Sequence, residues 1–304
     1  MSPKPLRIGT RKSPLAVWQA KTVQQLLEQQ GQPATLVRID SDGDQNLTQP
    51  LYAMGIQGIF TKALDTALLN NTIDIAVHSL KDVPTQLPQK VVLASVLERE
   101  NVDDVLVFNS ASNHLPDTGT IATSSLRRKA QWLHKYPNYT VATLRGNVQT
   151  RLEKIESNNW TGALFAAAGL SRLSLQNQLQ YQTLDWMLPA PGQGAIGICC
   201  HQENTALHKL LQSVECSTTR ACVTAERTFL RVLEGGCSAP IGVRTHVHGS
   251  TLEIEGGLFS IDGKQSCVDR CSGSLATAET LGQQLAEKLL HNGGAAILED
   301  LKKS

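Results

Sequence analysis

Residues 233–240, LEGGCSAP, set a cysteine behind two glycines and ahead of a proline. Glycine removes side-chain bulk and permits dihedrals closed to other residues, so the backbone at Cys237 can approach a ligand closely. A thiolate held there is a competent nucleophile toward an electrophilic carbon. The competing reading, a small apolar plug in a turn, suits the other six cysteines, which stand in apolar or helical contexts. In SLKDVPT, Asp82 stands between Lys81 and Val83-Pro84, directly after an apolar run. Proline keeps a helix from starting early there. The carboxylate either caps its loop or stands at the mouth of a site, where it stabilises a developing cation and moves a proton. Spacing leaves both open.

Four apolar runs end in basic turns: GTRKS (9–13), HSLKDVPT (78–85), TSSLRRK (123–129) and LRGNVQTR (144–151). In open parallel α/β sheets, ligands bind beyond the carboxyl ends of the strands, where helix N-termini offer free N–H groups and a positive dipole end. Arginines there add bidentate contacts to carboxylates or phosphates. One such arginine alone reads as solvated; four turns of this kind in succession read as an anion-binding cleft. Neither a G-x-x-x-x-G-K-[ST] phosphate loop nor a G-x-G-x-x-G fingerprint is present, so the expected anion is not a nucleotide.

The elements that must position these turns alternate. LRIGT (6–10), TLVRIDS (35–41), DIAVHSL (74–80), VVLASVL (91–97), TIATSS (120–125), TVATLRG (140–146), GALFAAAG (162–169) and AIGICC (195–200) are short apolar runs ended by turn residues. Helical patterns separate several of them, which predicts an α/β fold with largely parallel, buried strands. One helix starts with Ser13 as N-cap and Pro14 in its first turn, is expected to carry Leu15, Trp18, Leu26 and Leu27 toward the core, and stops near Gly31. The last third changes character. ACVTAERTFLRVLEGG reads as a helix, LEIEGGLFSIDGKQSCVDR as a hairpin turning at Asp262-Gly263, and 276–291 as a further helix, together a small separate α+β domain. The boundary within the first two-thirds is faint, around 98–104.

At 304 residues the chain is expected to hold two or three domains. Its 28 Lys+Arg against 27 Asp+Glu give no broad field for nucleic acid or a membrane surface, so charge must act locally. No apolar run approaches the ~18 residues of a membrane span, and the N-terminus has no apolar signal region, which predicts a cytoplasmic protein. Seven cysteines without a C-x-x-C pair predict free thiols in a reducing compartment and no metal site.

RIGTRKSPLA, DIAVHSLKDVPT, TSSLRRKAQ, LRGNVQTRL, AAAGLSRL, PAPGQGAIG and TAERTFLRVLEGGCSAPIG follow one another from residue 7 to residue 242. In content and order these blocks resemble the porphobilinogen deaminase (hydroxymethylbilane synthase) family. The resemblance implies two periplasmic-binding-protein-like α/β domains around a cleft (1–98 with 193–214, and 99–192) and a small C-terminal α+β domain (215–304). It implies a transferase of tetrapyrrole synthesis that deaminates four porphobilinogen molecules and condenses them head to tail. They are built onto a dipyrromethane cofactor, itself made from substrate and held as a thioether, before hydrolysis releases the product. By its place in the family's E-G-G-C block, Cys237 is the expected anchor, and Asp82, in H-S-x-K-D-V-P, the expected catalytic aspartate. Lys62, Lys81, Thr123, Ser125, Arg127 and Arg128 fall on positions implied to hold the cofactor. Arg11, Ser13, Arg145, Arg151, Arg172 and Gln193 fall on positions implied to hold substrate. Each pyrrole carries an acetate and a propionate, a demand that matches the basic turns. A monomer binding only small molecules is implied. The rival reading is a non-catalytic anion-binding protein of the same architecture, which would need neither Cys237 nor Asp82.

The chain departs from the family pattern in places. Gly55-Ile56-Gln57-Gly58 stands where many members read G-G-K-G, Ala63 where a glutamate is usual, and Phe165 and Pro191 where smaller or aliphatic residues are common. These changes touch carboxylate recognition and leave the Asp82 and Cys237 positions intact.

Overall fold

The computed structural model describes residues 4–40, 60–111, 114–233 and 239–303, so Cys237 and Gln57 lie outside the described residues. The chain opens with β1 (Leu6–Arg11), α1 (Pro14–Gln29), β2 (Ala34–Ile39), α2 (Lys62–Leu69), β3 (Ile75–Ser79), a one-turn 3-10 helix (Leu80–Asp82) and β4 (Val91–Val96). It continues with β5 (Asp104–Phe108), β6 (Thr120–Ala122), α3 (Leu126–Lys135), β7 (Thr140–Ala142), α4 (Val148–Glu156), β8 (Gly162–Ala166), α5 (Ala167–Arg172) and β9 (Tyr181–Leu184). The last stretch holds β10 (Ile196–His201), α6 (Thr205–Gln212), α7 (Ser217–Val232), β11 (Ile241–His248), β12 (Thr251–Phe259), β13 (Ser266–Ser274), α8 (Ala278–Leu289) and α9 (Ala295–Lys303).

Two compact units result. One comprises 4–40, 60–100 and 194–220, the other 101–111, 114–193, 221–233 and 239–303. The first unit has a sheet of order β2-β1-β3-β10-β4. The second has a sheet of order β7-β6-β8-β5-β9 and an antiparallel meander β11-β12-β13. The two five-stranded sheets share a plan: three parallel strands, then a reversed strand, then an edge strand. β10 runs antiparallel to β3 and β4, and β5 antiparallel to β8 and β9. The expectation of largely parallel strands is therefore corrected at these two positions. Parallel neighbours need a crossover connection, and β5 and β10 enter their sheets without a helix before them.

The helix expected after Ser13 forms, with the Ser13 hydroxyl accepting from the Ala16 N–H at 3.3 Å and Gly31 at φ +78° just beyond its end. Its buried face matches the expectation at Leu27 and at Leu26, which packs against the core, and is corrected at Trp18 and Leu15. Ala16, Gln19, Ala20, Val23 and Leu27 are buried, while Trp18 is 38% exposed and Leu15 and Leu26 only half-buried. The small residues at 16 and 20 let the helix lie close to the sheet, and the apolar stripe follows their spacing rather than the bulkiest side chains. In the second unit the hairpin turns where Asp262-Gly263 indicated, with Gly263 at φ +74°. The meander and α8 pack on α7: a Cβ at Gly282 would collide with the Ala225 carbonyl oxygen, so only glycine allows that approach.

Candidate active site

In the first unit, β1 and β3 are parallel neighbours, registered Ile8 to Ile75 and Gly9 to Ala76, so their carboxyl ends emerge side by side. The β1 end supplies Arg11 and, at the cap of α1, Ser13. The Arg11 guanidinium lies 4.3 Å from the centre of the Phe60 ring, a cation–π contact. Burial, together with the Arg11 charge, pushes His78 down to about 4, so it is neutral at pH 7. Beside it Ser79 accepts from Gln19 Nε2 at 2.8 Å, fixing the end of β3 against α1.

The chain then makes the Leu80–Asp82 turn, closed by the Val83 N–H on the Leu80 carbonyl at 3.1 Å, and Leu80 is buried as its anchor. Lys81 and Asp82 are half-buried. The Asp82 carboxylate forms no hydrogen bond or ion pair with the described residues, so it does not cap its loop, and of the two roles left open by the sequence that one is not taken. Lys62 opens α2 with its side chain exposed.

In the second unit the centre of the arrangement is a residue the sequence reading passed over. Asp104, the first residue of β5, is fully buried and accepts from Arg127 Nη1 (2.6 Å), Arg128 Nε (3.0 Å) and Nη2 (2.7 Å), and Gln193 Nε2 (3.0 Å). Burial opposes its charge, but the two guanidinium groups prevail and hold the carboxyl well below the usual range. Arg128 also donates Nη1 to the Leu164 carbonyl (2.9 Å), so each of its three nitrogens has an acceptor. Arg127 Nη1 also reaches the Leu188 carbonyl (2.7 Å), while its Nε, on a side chain only 6% exposed, has no hydrogen-bond partner among the described residues. The only sequence signal was an acidic pair, Asp103-Asp104, placed just before the apolar run VLVF (105–108).

The other expected ligands sit on neighbouring turns. Thr123 is buried and accepts from the Ser125 N–H (3.2 Å), and the Ser125 hydroxyl caps α3 by accepting from the Arg128 N–H (3.4 Å). Ser124 ties this turn to the next, donating to the Leu144 carbonyl (2.7 Å) and accepting from the Leu144 N–H (3.0 Å). There Arg145 is buried, and burial lowers its pKa. Arg151 Nε donates to the Gly146 carbonyl (2.7 Å), with Gly146 at φ +120°. Arg172, buried, ends α5.

The elements on either side of residues 234–238, α7 and β11, are fastened to the same region. Glu226, fully buried, accepts from the Gly192 N–H (2.7 Å) and the Thr245 hydroxyl (2.6 Å). Arg244 donates to Asp103 (2.7 Å) and to the carbonyls of Asp185 and Met187 (both 3.1 Å). Among the other cysteines Cys199, Cys200 and Cys222 are buried, and burial pushes the Cys200 thiol up to about 11, away from thiolate chemistry. Among the described residues no group of three His, Cys, Asp or Glu side chains could hold a metal ion, and no helix is long and apolar enough to cross a membrane.

Residues 6–209 match the family described as porphobilinogen deaminase, dipyromethane cofactor binding domain, and residues 220–291 its C-terminal domain. A porphobilinogen deaminase of Pelobacter propionicus is 41% identical over 99% of this chain and 98% of its own length. One of Parasynechococcus marenigrum is 42% identical over 97% and 96%. Among solved structures, a periplasmic binding protein of Salmonella typhimurium aligns with 13% identity and a TM-score of 0.40 over 69% of this chain and 91% of its own. The donor chemistry fits a polycarboxylate cofactor: two guanidinium groups share a single buried carboxylate, and the orphaned Arg127 Nε is a buried donor to which a carboxylate is the natural complement. With both family domains matched in order and the fold α/β throughout its cofactor-binding part, the chain belongs to the porphobilinogen deaminase family.

Proposed function

We propose that the chain condenses four porphobilinogen molecules into hydroxymethylbilane for tetrapyrrole synthesis, with dipyrromethane as its resident cofactor, Cys237 as the cofactor's anchor and Asp82 as the catalytic residue. The reading is carried by the match of both family domains, in order, over nearly the whole chain.

When bound, the dipyrromethane supplies the pyrrole α-carbon onto which the chain is built. The protein's residues divide the remaining work. Asp82, with no competing partner in its turn, places negative charge against the pyrrole nitrogen of the incoming substrate. There it stabilises the cation that develops as the aminomethyl nitrogen leaves as ammonia, and it accepts the proton released as the new carbon–carbon bond forms. His78, buried in β3 and neutral, adds no positive charge of its own there. Lys62, Lys81, Thr123, Ser125, Arg127 and Arg128 hold cofactor carboxylates, and Arg11, Ser13, Arg145, Arg151, Arg172 and Gln193 those of the substrate and growing chain. Cys237 Sγ forms one carbon–sulfur bond and thereafter serves as a tether. Three domains with the boundaries given above, a monomeric state and a cytosolic location complete the reading.

Intact mass tests it directly. Protein made with porphobilinogen available is expected to exceed its sequence mass by two pyrrole units, and Cys237→Ser to carry no addition. An unmodified wild-type chain would overturn the reading.

A further inference from the structure

Arg127 and Arg128 are both cationic, both more than nine-tenths buried, and share one acidic partner, Asp104. Two guanidinium charges against one carboxylate leave one positive charge in excess in a place almost closed to water. Buried charge of this kind demands a counter-ion. The two arginines are not equivalent. Arg128 has an acceptor for each of its three nitrogens, Nε and Nη2 on Asp104 Oδ1 and Nη1 on Leu164. Arg127 meets Asp104 Oδ2 and Leu188 through Nη1 alone, leaving Nε unmatched.

We propose that Asp104 is a positioning residue that turns Arg127 into a receptor for a single ligand carboxylate. Three features suit Asp104 to this. It sits at the start of an inner strand of its sheet rather than on a loop. Its Oδ1 is also held by Gln193 Nε2, which itself donates to the Val102 carbonyl at 2.7 Å. Its charge is secured by both arginines, so it stays an acceptor throughout the working pH range. Because one carboxylate fixes both guanidinium planes, moving it tilts the Arg127 fork away from the ligand edge. The proposal rests on the dipyrromethane reading: the carboxylate received belongs to that cofactor.

The test follows covalent loading rather than turnover. Unloaded protein, made without precursor, is mixed with porphobilinogen well below the lowest thermal midpoint of the series, and the mass addition is timed. Asp104→Asn is expected to remain folded by circular dichroism and to load about 10-fold or more slowly, the effect of one misplaced charge-assisted hydrogen bond. Asp103→Asn loses the neighbouring ion pair with Arg244 and is expected to lower the thermal midpoint without slowing loading. A folded Asp104→Asn that loads within about twofold of wild type overturns the proposal. Should Asp104→Asn not fold, Asp104→Glu, which keeps the charge but shifts it by one methylene, decides on the same criterion. A wild-type chain that takes up no mass overturns the cofactor reading itself and this inference with it. Equal loading of wild type and variant overturns the inference alone.

Discussion

Asp82 and Asp104 are the same side chain put to opposite uses. Asp104 is enclosed by guanidinium groups and an amide, and its charge is spent on structure. Asp82 stands half-buried in a one-turn helix with no partner among the described residues, which suits the role proposed for it of meeting a ligand. A carboxylate that acts by stabilising a developing cation loses that power when neutralised without change of shape. Asp82→Asn is therefore expected to melt as wild type does, since no native hydrogen bond is removed, while kcat falls by about 10²-fold or more. Steady-state turnover beside a thermal melt checks this, and near-wild-type turnover removes Asp82 from the mechanism.

Among the elements, the hairpin of β12 and β13 shows how the meander is registered on the rest of its unit. Its turn rests on the end of α3: His134 Nδ1 is 2.8 Å from the Gly263 carbonyl oxygen, and the His134 ring meets Phe259 edge-on at 5.7 Å. A Cβ at Gly263 would collide with the His134 and Leu133 backbone, and φ +74° is itself strained for any other residue. Gly263→Ala is expected to cost about 1–3 kcal/mol, read as a lower denaturant midpoint at unchanged slope. The turn was legible because Asp-Gly between alternating runs has a local cause, as were the Ser13 cap and the Gly31 stop of α1. Trp18 was misread because bulk was taken for burial, when Ala16 and Ala20 set the contact face. β5 was read only as a faint boundary because its five residues, all buried, carry no alternation. The occupation of Arg127 and Arg128 was beyond reach because it depends on Asp104, a partner more than 20 positions away brought close only by the sheet.

For the whole molecule, near-zero net charge coexists with strongly perturbed groups, and these divide between the two units in a way that predicts their response to acid. His78 belongs to the first unit, Asp104 to the second. His78 is held at about 4 against about 6.5 unfolded, so between those values the unfolded chain binds the extra proton. Its contribution is fully present above pH 6.5 and is lost as pH falls toward 4, a decline of about 3 kcal/mol. Asp104 is also depressed, so its contribution likewise falls with acid, but only below the ordinary carboxylate range. The first unit is thus expected to weaken first. Of the four tryptophans, only Trp18 lies in it, and that one is exposed, whereas Trp132, Trp160 and Trp186 report on the second unit. On titration from pH 7 to 4 at a fixed moderate denaturant concentration, backbone circular dichroism is expected to fall before tryptophan fluorescence shifts, and His78→Gln to narrow the gap. Coincident transitions in wild type would mean that the two units unfold as one and that burial of His78 does not set the acid limit.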